Sequence, residues 1–371
     1  MTPKPLINNR LSWIDYDKGI SIILVCYLHL SYLLQFYFNI NADAYWILKY
    51  SNIFLYGFRM PLFFMVSGVL LNRSLEKRGL NGYIKNRFNT VFYPLLIWGF
   101  IRVTLQLAAG NLSLKHGSPS LYFYILADPR KIAPLWYLHA LFCISFIYAF
   151  VKVKFKLSAL HNLMLGLLLY LASGYVTTNN LQVGFFADIF KYYIFFAVGD
   201  LLSGILLSDN ARDFLYSRKL FFILMVPFAL VQGIVMNYNI AHHNIFYVEN
   251  SIPILFLFQG LLGCSFSIAF SFLLQKWDVL PALKTIGFHS LYIYCMHYIV
   301  IIATCMLCVK TLHMHNILLL VGICWTTAVA VPILFYKLAN RLNMWWLFSL
   351  GKPKSRAVNK VQQNAPAFGS L

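Results

Sequence analysis

The chain has 371 residues, 60% of them hydrophobic and 11% charged, with 30 Lys and Arg against 11 Asp and Glu. That composition excludes a soluble globular domain and a disordered chain alike, and apolar runs of membrane-spanning length recur along it. The formal net charge of +19 reads as a topology signal and not as a nucleic-acid footprint, because the basic residues concentrate on alternate connecting segments.

Ten spans are predicted, at about 18–38, 50–72, 88–109, 134–153, 159–176, 186–207, 220–237, 251–273, 286–309 and 316–337. The expected fold class is all-α, a polytopic membrane protein. With the N-terminus inside, the outer loops carry only Lys49, Lys115, Arg130, Lys131 and Lys310, so both termini are expected in the cytoplasm. Residues 1–350 read as one membrane domain, and 351–371 as a basic, disordered tail. The first apolar stretch is long and has acidic residues before it, unlike a cleavable signal peptide. All seven cysteines fall inside predicted spans, so neither a disulfide framework nor a metal site is expected.

In the first span, ten residues separate Lys18 from His29. Eleven steps of ~100° make about three turns, so the two share a helix face, and a rise of ~1.5 Å per residue sets His29 about 16 Å above Lys18. That is half the ~30 Å hydrocarbon thickness. An ionisable ring at that depth is a functional candidate. The plainer reading is a histidine hydrogen-bonded to a neighbouring helix, and the aligned Lys18 with the preceding Asp15 favours function.

The second span carries Arg59-Met-Pro61-Leu-Phe-Phe-Met-Val-Ser67-Gly68. A charge at that depth costs ~2.5–3.5 kcal/mol on insertion scales, so a carboxylate, a polar cavity or a bound anion is expected beside Arg59. Pro61 should disturb the helix and free carbonyls next to the arginine. Ser67 and Gly68 suit either close helix packing or chemistry. The inner loop that follows holds Arg73, Lys77, Arg78, Lys85 and Arg87. Such a cluster fits a phosphorylated ligand, and fits equally an anionic lipid surface or simple orientation signalling.

Further on, Arg102, His139 and Asp200 are placed in or beside the same cavity, with Asp200 as the natural counter-ion for an intramembrane arginine. Lys191 is expected to snorkel outward. His242 and His243 lack a third ligand and read as solvated. In Ile286-Gly287-Phe-His-Ser290-Leu-Tyr-Ile-Tyr294-Cys-Met-His297, Ser290 and His297 are seven apart and share a face with Tyr294, and His297 again falls near mid-depth.

These stretches together resemble the acyltransferase-3 family of bacterial inner-membrane acyltransferases, in particular its glycan O-acetylase branch. Lys18-x10-His29 is similar to the family's basic-x10-His motif, and Arg59-Met-Pro-Leu-Phe-Phe-x-x-Ser-Gly68 to its second-span signature. Tyr83-Ile-Lys85-Asn-Arg87-Phe…Tyr93-Pro94…Trp98 resembles its basic loop and third span, and Ile286-Gly-x-x-Ser-Leu-Tyr-Ile-Tyr-x-x-His297 a late-span signature. The chain departs from the pattern at Arg59, where relatives often carry histidine, and at Thr90, where they often carry a second basic residue. The resemblance implies transfer of an acyl group, most often acetyl, from acyl-CoA to a sugar hydroxyl of a cell-surface polysaccharide or its lipid-linked precursor. It implies His29, Arg59 and His297 as catalytic, and Lys18, Asp15, Lys85 and Arg87 as the acyl-CoA site. Ser67, Arg102, His139, Ser290 and Tyr294 are then candidates for substrate contact. Acetyl-CoA would be a donor substrate, with no bound cofactor. The rival reading from another class is a transporter or flippase for an anionic lipid-linked glycan, which would also want Arg59 and Arg102 inside the membrane.

Overall fold

Ten helical stretches in the computed structural model are long and apolar enough to cross a membrane. They are Ser12–Gln35, Trp46–Val69, Leu71–Ala109, Trp136–Lys154, Ala159–Thr178, Phe186–Leu206, Arg218–Ala241, Pro253–Trp277, Ser290–Thr311 and Ile317–Arg341, and are called the first to tenth crossings below. The structure describes residues 11–38, 42–109, 118–132, 134–314 and 316–351, and contains no strand among them. Lys115 and the tail beyond Gly351 lie outside the described residues. A helix is the one open-ended element that satisfies its own backbone in hydrocarbon, which is why the apolar runs fold this way.

Two crossings are interrupted, and both interruptions bear on the site. The second breaks between the helices Ala42–Phe54 and Arg59–Val69. Pro61 lies in the first turn of the latter, where its missing N–H costs nothing and its ring bars continuation from the preceding turn. The basic segment read as a loop is instead helical from Leu71 to Arg87, with an internal break at Gly79 (φ +63°). Leu71 and Tyr83 give that helix a buried side, so it lies against the bundle with Arg73, Lys77, Arg78 and Lys85 outward and Arg87 half-buried. A wide turn at Phe88–Phe92 then leads into the third crossing proper from Tyr93.

The half-helix Arg59–Val69 is the centre of the bundle, with every residue but Met60 buried. It crosses the sixth crossing at a glycine pair: a Cβ on Gly199 would stand 2.8 Å from the Met65 carbonyl carbon, and one on Gly68 3.0 Å from the Phe196 carbonyl carbon. In lipid, van der Waals contact of this kind does the work that burial does in water, and small residues make it possible. A second close crossing seats the short helix Pro281–Phe288 on the start of the first crossing, where a Cβ on Gly287 would lie 2.7 Å from the Asp15 carbonyl carbon. Trp325 ties the tenth crossing to the first by donating Nε1–H to the Ile23 carbonyl at 3.1 Å.

Candidate active site

The histidines of the first and ninth crossings meet inside the bundle. The His29 and His297 rings lie 5.2 Å apart at 45°, and His29 packs edge-on to Tyr298 at 5.5 Å. His297 is fully buried. Its Nδ1 faces the carbonyls of Ile293 (3.0 Å) and Tyr294 (2.9 Å), while its Nε2 is buried without a hydrogen-bond partner. Carbonyl oxygens only accept, so Nδ1 carries the hydrogen and Nε2 presents a lone pair.

Two arginines complete the cluster. The charges of Arg59 and Arg102 act on the His29 ring together with His297. Arg102 stacks its guanidinium over Tyr298 at 4.2 Å, a contact worth about 0.5–2 kcal/mol. Arg59 is 1% exposed. Its Nε donates to Leu55 O at 2.7 Å and its Nη2 to Asn52 O at 2.8 Å, the carbonyls freed by the helix break before Pro61. Main-chain carbonyls thus supply polar surroundings for Arg59. Its Nη1 is buried and makes no hydrogen bond. This unmet donor, with the Arg102 charge close enough to act on the same ring, favours a negative charge in so low-dielectric a setting.

Below the histidines, Tyr294 packs 5.7 Å from His297 and 5.2 Å from Tyr137, and donates its hydroxyl to the Pro134 carbonyl. Ser67 lies within hydrogen-bond reach of the Tyr137 hydroxyl, on which the Arg87 charge also acts. Arg87 itself bonds Tyr83 Oη at 3.2 Å and lies over that ring. A file of polar aromatic groups thus runs from the basic helix to His29. Ser290, one turn before Tyr294, is buried at the start of the ninth crossing. Lys85 lines a cavity of about 410 Å³ beside Asn81, Phe88 and Asn89 at the same end of the bundle. Asp15 is buried and Lys18 half-buried where the first crossing begins.

Three expectations are corrected. His139 is not in the pocket: its ring packs against Phe185 (5.1 Å) and Phe92, 3.7 Å from the Cys143 sulfur. It stands two residues after Tyr137, which takes the pocket-facing position on that helix. Asp200 serves no arginine but binds Lys152 (2.5 Å) and Tyr148 (2.8 Å). Lys191 turns inward to Glu249 at 3.0 Å, because a buried carboxylate is there to receive it. That carboxylate also accepts the Tyr56 hydroxyl. Burial works to raise the Glu249 pKa, but Lys191, Arg130 and the Tyr56 hydrogen bond outweigh it and hold the group below its ordinary 4.5. Tyr137, Tyr298, Asn52 and Tyr56 escaped the sequence reading. Tyr298 adjoins His297, and that adjacency was the one signal available for it. Among the described residues no group of three His, Cys, Asp or Glu gathers as a metal site, and His242 instead stacks on Tyr247 at 3.6 Å.

The fold and this pocket define a multi-pass membrane protein with a histidine–arginine centre. A family model described as an acyltransferase domain, that of acyltransferase-3, matches residues 11–336, and the chain belongs to that family. It is 35% identical over 102 residues to nodulation protein NolL of Sinorhizobium fredii (strain NBRC 101917 / NGR234), which covers 28% of this chain and 27% of that protein. To nodulation protein NolL of Mesorhizobium japonicum (strain LMG 29417 / CECT 9101 / MAFF 303099) it is 30% identical over 149 residues, 40% of this chain and 38% of that one. The chain thus spans well under half the length of these curated relatives. No solved structure matches it.

Proposed function

We propose that the protein is a membrane O-acyltransferase of the bacterial inner membrane, moving an acyl group, acetyl in the first instance, from acyl-CoA to a hydroxyl of a surface glycan or its lipid-linked precursor. The observation that carries the reading is the contact of His29 with His297, with the charges of Arg59 and Arg102 acting on His29, in a chain of the acyltransferase-3 family. The CoA phosphates dock on the basic end of the bundle, at Lys85, Arg87 and Lys18, with Asp15 orienting Lys18. The thioester reaches up past Ser290, Ser67 and Tyr294 to the histidines.

His29 removes the proton from the acceptor hydroxyl as its oxygen attacks the thioester carbonyl. The tetrahedral oxyanion forms beside Arg59 and Arg102, and loss of one such donor commonly costs about 10²–10³ in rate. Collapse breaks the C–S bond, and the departing thiolate takes the proton from His29 to leave as the CoA thiol. The His297 Nε2 lone pair is unbonded and 5.2 Å separates the two rings, so a small closure would let it accept an N–H from His29 and hold that ring, the task a carboxylate performs in other triads. The expected result of His29→Ala is loss of glycan O-acetylation, read by NMR of purified polysaccharide, at normal protein level. Undiminished acetylation would remove His29 from this role. Purified protein that neither binds nor consumes radiolabelled acetyl-CoA would point to the flippase reading instead.

A further inference from the structure

A cavity of about 310 Å³ opens at the end of the bundle opposite the basic helix. Ser31, Tyr32 and Gln35 of the first crossing form one wall, Lys49, Asn52 and Tyr56 of the second form another, and the turn 243–246 closes the mouth. Ser31 lies thirteen residues beyond Lys18, about 20 Å along the helix axis. The volume is at the small end of the ~300–1,000 Å³ typical of ligand clefts, room for a sugar unit.

The lining mixes hydrogen-bonding groups with an aromatic pair and the apolar Leu28, Ile53 and Ile245, and Lys49 is its only Lys, Arg, Asp or Glu. Tyr56 and Phe246 both line it, with their rings edge to face at 5.3 Å. Tyr56 is fixed from behind by its hydroxyl bond to Glu249, so it presents a rigid apolar surface. Asn52 joins this cavity to the catalytic pocket. Its side-chain NH2 donates to Leu48 O at 3.0 Å and its main-chain carbonyl holds Arg59 Nη2. Asn52 Oδ1 and Arg59 Nη1 are both buried and make no hydrogen bond. One acceptor and one donor are therefore left unmet on the two residues that join the cavity to the histidines, a demand that native interiors rarely leave standing. Hydroxyl groups, which both donate and accept, are the chemistry that answers it.

We infer that this cavity is the acceptor site, and that it takes one polyhydroxylated sugar unit against Asn52 and Tyr56, with the reacting hydroxyl delivered to His29 from the side opposite the donor. The inference rests on the acyltransferase reading. Asn52→Leu removes the unmet acceptor, and Asn244→Trp, at an exposed position of the mouth, narrows entry while giving up the bond that Asn244 Oδ1 accepts from Phe246 N–H. Both are made in the full chain in nanodiscs. Radiolabelled acetyl-CoA is the donor probe, and O-deacetylated polysaccharide from the producing cells is the acceptor probe. The expected result is acetyl-CoA binding within about twofold of wild type, with the acceptor KM raised about tenfold, the size of one lost hydrogen bond. Wild-type acceptor KM in both variants would overturn the assignment of the cavity. A wild-type protein that ignores acetyl-CoA would overturn the acyltransferase reading, and the acceptor site with it.

Discussion

Replacing Glu249 with Gln preserves shape and removes one charge from a buried pair. Glu249 and Lys191 lie 3.0 Å apart with side chains 5% and 13% exposed. At that separation and an effective dielectric of ~20, their attraction is about 5 kcal/mol, and removing one partner of a buried pair costs about 3–5 kcal/mol in practice. Glu249→Gln leaves the Lys191 ammonium buried without its carboxylate and weakens the bond that fixes Tyr56. Thermal unfolding of the purified protein in detergent should show a drop of several degrees. The pH profile adds a second test. Because the folded Glu249 pKa is held below 4.5, its contribution is full above the unfolded value and drains as pH falls through the folded one. Wild type should therefore lose stability on acidification more steeply than the Gln variant. Equal melting temperatures at neutral pH, or parallel acid limbs, would refute the reasoning.

Gly287→Ala should destabilise by about 1–3 kcal/mol, the usual cost of overpacking, since its Cβ meets the Asp15 main chain, which cannot swing aside. The displaced start of the first crossing should also weaken acetyl-CoA binding in a filter assay, because Lys18 rides on it. Asp200→Ala should cost about 3–5 kcal/mol by leaving Lys152 without its carboxylate. Lys152→Met with Asp200→Leu should recover most of that loss, as detergent melting will show.

The ten crossings were legible because hydrocarbon leaves a chain few options: an apolar run of some twenty residues must be a helix. The pairing of His29 with His297 was legible only as equal depth. Depth is a one-dimensional coordinate that composition and periodicity supply, whereas which helices adjoin is not. The resemblance supplied the missing link between four separated stretches, and the structure then set the first against both the second and the fourth.

Where the reading failed, the cause was rotation about a helix axis or a partner far along the chain. Tyr137 and His139 differ by about 200° around one helix, and only the neighbours decide which faces the pocket. Lys191 turns inward because Glu249, 58 residues on, folds back beneath it. Asp200 could not be matched to Lys152 before helix packing was known. The sequence by itself determined the class, the spans and the depth at which the charged and titratable groups lie, because solvent polarity acts on each residue locally. Only the tertiary structure decided which of them share a pocket, since that depends on close glycine crossings and on carbonyls freed by a helix break, both properties of chain segments brought together from afar.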